Sequence, residues 1–155
     1  MDTQLFWFTG QPGAGKTEIG KLLEEELSNR QSFGAKKVVR IDGDDIRLLY
    51  DNRDYSEAGR RANVEFVQKL CQFLIKNDIT VIVCMVSPFA DQRCAMRAMF
   101  KAKEIYVRCN EDRGRESFHV DYYEPPMDSW SSNVIEIDTT GKTVEQSFEE
   151  LWKKL

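Results

Sequence analysis

Short apolar runs alternate along the chain with longer segments whose apolar positions recur at helical spacing, the pattern of a βαβα fold. Gln4–Thr9 (QLFWFT) is apolar and aromatic and stops at Gly10, so it reads as a buried strand. From Lys16 to Ser28, residues Ile19, Leu22, Leu23 and Leu27 mark one face of an amphipathic helix. Lys37–Ile41 (KVVRI) reads as a second strand, and Ala62, Phe66, Val67, Leu70, Phe73 and Leu74 then outline a long helix. Ile79–Val86 (ITVIVCMV) is the most apolar run and is predicted at the centre of the sheet. Pro88 stops it, and a helix is expected to reach the neighbourhood of Ala102. Glu104–Val107 and Val134–Ile137 complete five strands. The closing helix opens with Thr143 and Gln146, three apart as a capping box requires, and turns Val144, Phe148, Leu151, Trp152 and Leu155 inward. Between the last two strands, 110–133 is polar, aromatic and proline-containing, and reads as a mobile lid.

Five strands interleaved with helices predict an α/β fold of three layers, a parallel sheet with helices on both faces. Ligands of such sheets bind outside the carboxyl ends of the strands. A length of 155 residues suits one domain spanning 1–155.

Charge narrows the partners. With 22 Lys+Arg against 26 Asp+Glu the net charge is −4, which speaks against a nucleic-acid partner, since a polyanion binder needs excess cations. No apolar run approaches the roughly 20 residues of a membrane span. Met1–Gln4 has no positive n-region, so no secretory signal is expected. Cys71, Cys84, Cys94 and Cys109 form no CxxC pair and His119 is the only histidine, which leaves no zinc set. Cys84 is predicted in the core and the other three as free thiols, which fits the cytoplasm. Oligomeric state is left open, a homodimer included.

The chemistry begins at Gly10-Gln11-Pro12-Gly13-Ala14-Gly15-Lys16-Thr17, which fits GxxxxGK[ST] between a strand and a helix. Gly10, Gly13, Ala14 and Gly15 let the backbone turn its N–H groups toward the phosphates of ATP, aided by the helix N-terminus. Lys16 supplies a cation for the β- and γ-phosphates, and Thr17 a hydroxyl for Mg²⁺. The bland alternative is a glycine-rich turn that merely caps a helix. The strand–loop–helix setting favours the P-loop NTPase fold. With no NKxD for guanine and no long insertions, a small kinase is the economical reading.

After the second strand comes Asp42-Gly43-Asp44-Asp45-Ile46-Arg47. Of the two carboxylates Asp42 and Asp44, one can organise the hydrated Mg²⁺ while the other accepts the proton of an attacking hydroxyl. Arg47 can grip an anionic group. The alternative is a helix N-terminus with acidic first-turn residues.

Taken in order, GxxGAGKT, DGDxxR, Tyr55-Ser56-Glu57 with Arg60-x-x-Asn63, and Val86-Ser87-Pro88-Phe89 resemble the motif set of adenylylsulfate (APS) kinases. That family shows a P-loop, DGDN(V/I)R, (F)SEEDRxxN and ISPY at similar intervals. The likeness covers about Gln4 to Phe100 well and the last strand and helix loosely. It implies transfer of the γ-phosphoryl of ATP, with Mg²⁺, to the 3′-hydroxyl of APS, a small nucleotide-like acceptor. Lys16, Asp42 and Asp44 then carry catalysis. Asp44, Arg47, Tyr55, Arg60, Asn63 and Ser87 match residues around the acceptor, and Phe118 matches the phenylalanine of an FTGID segment, because Tyr123-Glu124-Pro125-Pro126 follows it. Read singly, Tyr55 could be a surface aromatic, Arg60 and Arg61 a solvated helix face, and Ser87-Pro88 a plain helix start.

The departures cluster in the lid. Arg108–Ser117 is shorter than the family's stretch and lacks its KGLYKKA. Arg113 or Arg115 is left to serve the donor phosphates or its adenine. Ala90 replaces an arginine, and Asp45 adds a negative charge near an acceptor site meant for anions. Two other readings stay open: a kinase for another nucleotide conjugate, a sugar alcohol or a hydroxymethylated base in DNA, and a nucleotide-binding module without catalysis.

Overall fold

The computed structural model describes residues 3–30, 37–127 and 131–155. Five strands, β1 (Leu5–Thr9), β2 (Val38–Asp42), β3 (Thr80–Cys84), β4 (Ala102–Arg108) and β5 (Val134–Asp138), pair in parallel in the order β2-β3-β1-β4-β5. Helices α1 (Lys16–Asn29), α2 (Gly43–Leu49), α3 (Glu57–Lys76), α4 (Ala90–Met99) and α5 (Val144–Lys154) connect or close them. Alternation along β1 divides the core. Leu5 and Trp7 face α2, α3 and α4 with Val64, Val67, Cys71 and Met96, whereas Phe6 and Phe8 face α1 and α5 with Ile19, Leu23 and Leu151. Both faces are therefore covered, as the interleaved pattern predicts.

Three expectations need correction. The centre of the sheet is β1, not the more apolar β3. Both strands are buried on both faces, so apolarity alone could not rank them. Helix α4 ends at Met99 because Phe100 is extended, and Ala102 already pairs with Leu5 in β4. On α3 the buried stripe is Gly59, Asn63, Val64, Val67 and Cys71, while Phe66 and Phe73 are largely outside. Small and polar residues on that stripe let the helix approach the floor of the site, and Phe66 instead stacks on Tyr50 at 4.7 Å.

The last helix is as expected. Thr143 Oγ1 accepts the Gln146 amide at 3.2 Å and Gln146 Oε1 accepts the Thr143 amide at 2.9 Å. All four cysteines are free, and Cys71 is buried like Cys84; burial pushes both thiols up to about 12. Among the described residues no helix is long and apolar enough to cross a membrane.

What matters for the site is the crossover pattern. The connection after β1 runs toward β2, whereas the one after β3 crosses to β4. Neighbouring strands whose connections part in this way open a crevice at their carboxyl ends.

Candidate active site

A cleft of about 880 Å³ lies at that crevice. Its donor wall is the loop between β1 and α1, its floor comes from the ends of β2 and β3, and 113–119 forms the roof. Of the residues singled out from the motifs, Gly13, Gly15, Lys16, Thr17, Asp42, Asp44, Arg47, Tyr55, Arg60, Asn63, Ser87, Arg113 and Phe118 all line it.

Gly10 and Ala14 do not, contrary to expectation. Gly10 sits at φ 141°, where a Cβ would lie 2.0 Å from the Val107 carbonyl oxygen, so the glycine lets the chain leave β1 beside β4. The Ala14 amide donates to the Gln11 carbonyl at 3.2 Å, and its own carbonyl accepts from Thr139 Oγ1 at 2.9 Å. Both residues shape the loop from behind.

Lys16 is buried and donates to the carbonyls of Gly10 and Gln11, each at 2.8 Å. Burial pulls its ammonium down to about 8, with Arg115 pulling the same way and Cys84, Asp42 and Asp44 opposing. Thr17 Oγ1 donates to Asp42 Oδ2 at 2.8 Å, and Asp42 Oδ1 accepts the Asp44 amide at 3.0 Å. Asp42 is thus the N-cap of α2, with Asp44 and Asp45 in the first turn. The helix-cap reading holds, and the capped turn also brings Asp42 and Asp44 to the lining of the cleft. Asp45 is exposed and lines none of it, so its negative charge does not stand in the acceptor pocket as expected.

On the acceptor side, Arg47 is buried and donates to the Asp54 carbonyl at 2.8 Å. Its guanidinium lies 4.2 Å from the Tyr55 ring centre, and that of Arg60 lies 5.5 Å away. An exposed tyrosine is thereby held between two cations. Asn63 accepts from Tyr50 Oη at 3.0 Å and reaches the Gly43 carbonyl at 3.5 Å, tying α3 to the start of α2. Arg61 belongs elsewhere: it pairs with Asp91 at 2.9 Å and lies over Phe89. Ser87 adopts φ 44° and is buried, its hydroxyl accepting from Trp7 Nε1 at 2.9 Å. Strain of that kind in a non-glycine residue is held only where surrounding bonds over-determine it.

The roof is docked by contacts the sequence did not disclose. Gln11 pairs with Val120 like a strand residue, its Nε2 donating at 2.8 Å and its Oε1 accepting at 2.9 Å. His119 Nε2 sits 3.2 Å from the Pro12 carbonyl. A Cβ on Gly13 (φ 84°) would stand 3.0 Å from that of Arg115, so the second glycine lets the roof settle on the loop. Arg113 is committed to Glu111 and to the Thr139 carbonyl, each at 2.9 Å. Arg115 lies over Phe118 and, among the described residues, has no carboxylate partner. Glu116 Oε1 accepts the Arg113 amide at 2.6 Å and Asp112 Oδ1 the Gly114 amide at 2.9 Å, which fixes the turn carrying these arginines.

The family's sequence model, described as adenylylsulphate kinase, matches residues 2–125. The chain belongs to the adenylylsulphate kinase family. It is 25% identical over 169 residues to the adenylyl-sulfate kinase of Staphylococcus epidermidis, covering 97% of this chain and 83% of that one. With the adenylyl-sulfate kinase of Thermodesulfovibrio yellowstonii it shares 35% over 109 residues, 68% of this chain and 52% of the other. For that and some further relatives the matched stretch spans about half of their length. The Mycobacterium tuberculosis APS kinase solved in complex with AMPPNP and APS has the same fold, with a TM-score of 0.78, 19% identity and coverage of 98% and 96%.

Proposed function

We propose that this chain transfers the γ-phosphoryl group of ATP to the 3′-hydroxyl of adenylylsulfate, giving PAPS. One observation carries the reading: Asp44 opens into the same cleft as Lys16 and Thr17, with the Arg47–Tyr55–Arg60 cluster on its far side.

The donor is held by the amides of Gly13, Gly15, Lys16 and Thr17 and by the Lys16 side chain, which exchanges its two carbonyl bonds for phosphate oxygens. Arg115, poised over Gly13, takes the place of the missing lid cations and meets charge on the transferring phosphoryl group. Arg113, tied to Thr139 at the end of β5, serves the adenine side. Thr17 and Asp42 offer two hard oxygens side by side, which fits a Mg²⁺ ion that keeps most of its shell in water and phosphate. Held by Thr17 and Asp42, Mg²⁺ would supply neutralisation of phosphate charge. Asp44 accepts the proton of the attacking hydroxyl. Tyr55 and Phe118 offer rings for the acceptor base, Arg47 and Arg60 its anionic group, while Asn63 and Ser87 fix the floor. Because the reaction needs positioning more than covalent help, a cleft closed by a docked roof is suited to it. The free thiols fit a cytoplasmic setting.

Ala90 and the short roof favour one second reading, the same chemistry on another acceptor. The two part in a competition assay with γ-labelled ATP and a mixture of APS, a second nucleotide conjugate and a sugar alcohol. Label in APS with kcat/KM at least about tenfold above the others is expected, a margin of roughly 1.4 kcal/mol. Preferential label in another acceptor replaces the substrate and keeps the kinase.

A further inference from the structure

Behind the cleft, and lining none of it, lies a buried ionic cluster. Arg93 is 1% exposed and Glu104 fully buried. Arg93 Nε donates to Glu104 Oε1 at 2.7 Å, and Arg97 pairs with the other carboxylate oxygen. The rest of the Arg93 guanidinium points two ways. Nη1 donates to the Ser87 carbonyl at 2.6 Å and Nη2 to the Glu124 carbonyl. Ser87 lies in the loop just after β3 and lines the floor of the cleft; Glu124 belongs to the segment returning from the roof.

The same two segments are stitched again. The Glu124 amide donates to the Pro88 carbonyl at 2.9 Å, and its carboxylate accepts the Ala90 amide at 2.6 Å. Tyr123 Oη and Thr9 Oγ1 are 2.8 Å apart, and Thr9 Oγ1 contacts the Val86 and Ser87 carbonyls at 2.7 and 3.3 Å. A buried guanidinium and carboxylate, with the partly exposed Arg97 beside them, contribute little net stability compared with apolar residues of equal volume. An apolar replacement could not, however, give two directed donors to carbonyls from different parts of the chain. Geometry, rather than stability, is what this cluster supplies.

We propose that Arg93 is a positioning residue for the acceptor, clamping the Ser87 floor to the roof's return at Glu124 so that the two move as one body. It rests on the kinase reading for its link to the acceptor, though the clamp itself does not. It acts through Ser87 and Glu124, not on the reacting atoms. Its charge also neutralises Glu104, so the variants must separate the two roles.

Arg93→Lys keeps a cation for Glu104 but cannot reach both carbonyls. Glu104→Gln keeps an acceptor for Arg93 Nε and leaves both carbonyl bonds in place. Steady-state kinetics should show the APS KM rising about tenfold in Arg93→Lys, the expected loss for a charge-assisted hydrogen bond, with the ATP KM within about twofold. Glu104→Gln should lower Tm while leaving the APS KM unchanged. Hydrogen exchange reads the clamp without any substrate: in Arg93→Lys, amides of 86–90 and 122–124 should lose protection together, with β4 and β5 unchanged. An unchanged APS KM in folded Arg93→Lys overturns the positioning role. Exchange that rises in only one segment, or uniformly over the chain, overturns the clamp. If the wild type transfers nothing to APS, the kinase reading fails on its own, and the exchange experiment still decides the clamp.

Discussion

The two walls of the cleft are built by opposite means. The donor wall is one short loop, 10–17, set at the end of the central strand and braced from behind by Val107 and Thr139. The acceptor wall and roof are assembled from side chains of five segments, near Asp44, Tyr55, Arg60, Ser87 and Phe118, held by bonds such as Gln11 to Val120 that span over a hundred residues. A wall made of local backbone tolerates change around it; one made of distant side chains can be retuned residue by residue. Donor binding should therefore respond to few substitutions and severely, and acceptor choice to many and gradually.

The severest tests act where the walls meet. Lys16→Ala should lower kcat by about a thousandfold, the scale of losing a preorganised charge donor, and Asp44→Asn by about a hundredfold or more. Circular dichroism should show both folded. If either keeps full turnover, the residues are wrongly assigned. Next comes the division between the roof arginines. Arg115→Ala should cost about tenfold to a hundredfold in kcat with the APS KM unchanged, whereas Arg113→Ala should mainly raise the ATP KM. A reversed pattern would exchange their roles.

A pH profile sharpens the donor side further. Burial holds the Lys16 ammonium down to about 8, so kcat/KM for ATP should fall about tenfold per pH unit above that point. Bound phosphates favour the charged form, so the alkaline limb of kcat should lie higher. Folding responds with the opposite sign. Between about 8 and the ordinary 10.5 the unfolded chain keeps this proton and the folded one does not, so Lys16 makes stability rise with pH there. An ATP profile flat to pH 10 would contradict a protonated Lys16 at the phosphates.

Smaller effects belong to the roof and the far end. Gln11→Ala removes both bonds to Val120 and should speed proteolysis within 113–119 several-fold, with a modest rise in the ATP KM. Thr143→Ala breaks the capping box of α5, far from the chemistry, and should cost about 1 kcal/mol of stability with kcat unchanged.

The same contrast decides what was legible in the sequence. The P-loop, DGD and the helix cap at Thr143 are local patterns in which spacing dictates geometry, and each lies where its spacing indicated. The strands could be found from apolarity, but β1 and β3 are equally buried, so their order was not written in composition. On α3 the apolar count pointed to Phe66 and Phe73, yet the buried stripe follows Gly59 and Asn63, because close approach and a hydrogen bond outweighed transfer energy there. Arg93 and Glu104 look like surface residues in the chain. Their only clue was a glutamate at the head of an apolar strand, and its partners lie on another element. The docking of the roof was likewise invisible, since Gln11 reads as a mere spacer within its motif.

The most direct test uses APS and γ-³²P-ATP with the wild type and Asp44→Asn, followed by product analysis of where the label sits. Label on the ribose 3′-oxygen of APS in the wild type, falling by about a hundredfold or more in Asp44→Asn, is the predicted result. Label only in inorganic phosphate, or transfer undiminished by Asp44→Asn, would contradict a phosphoryl transfer run between Lys16 and Asp44.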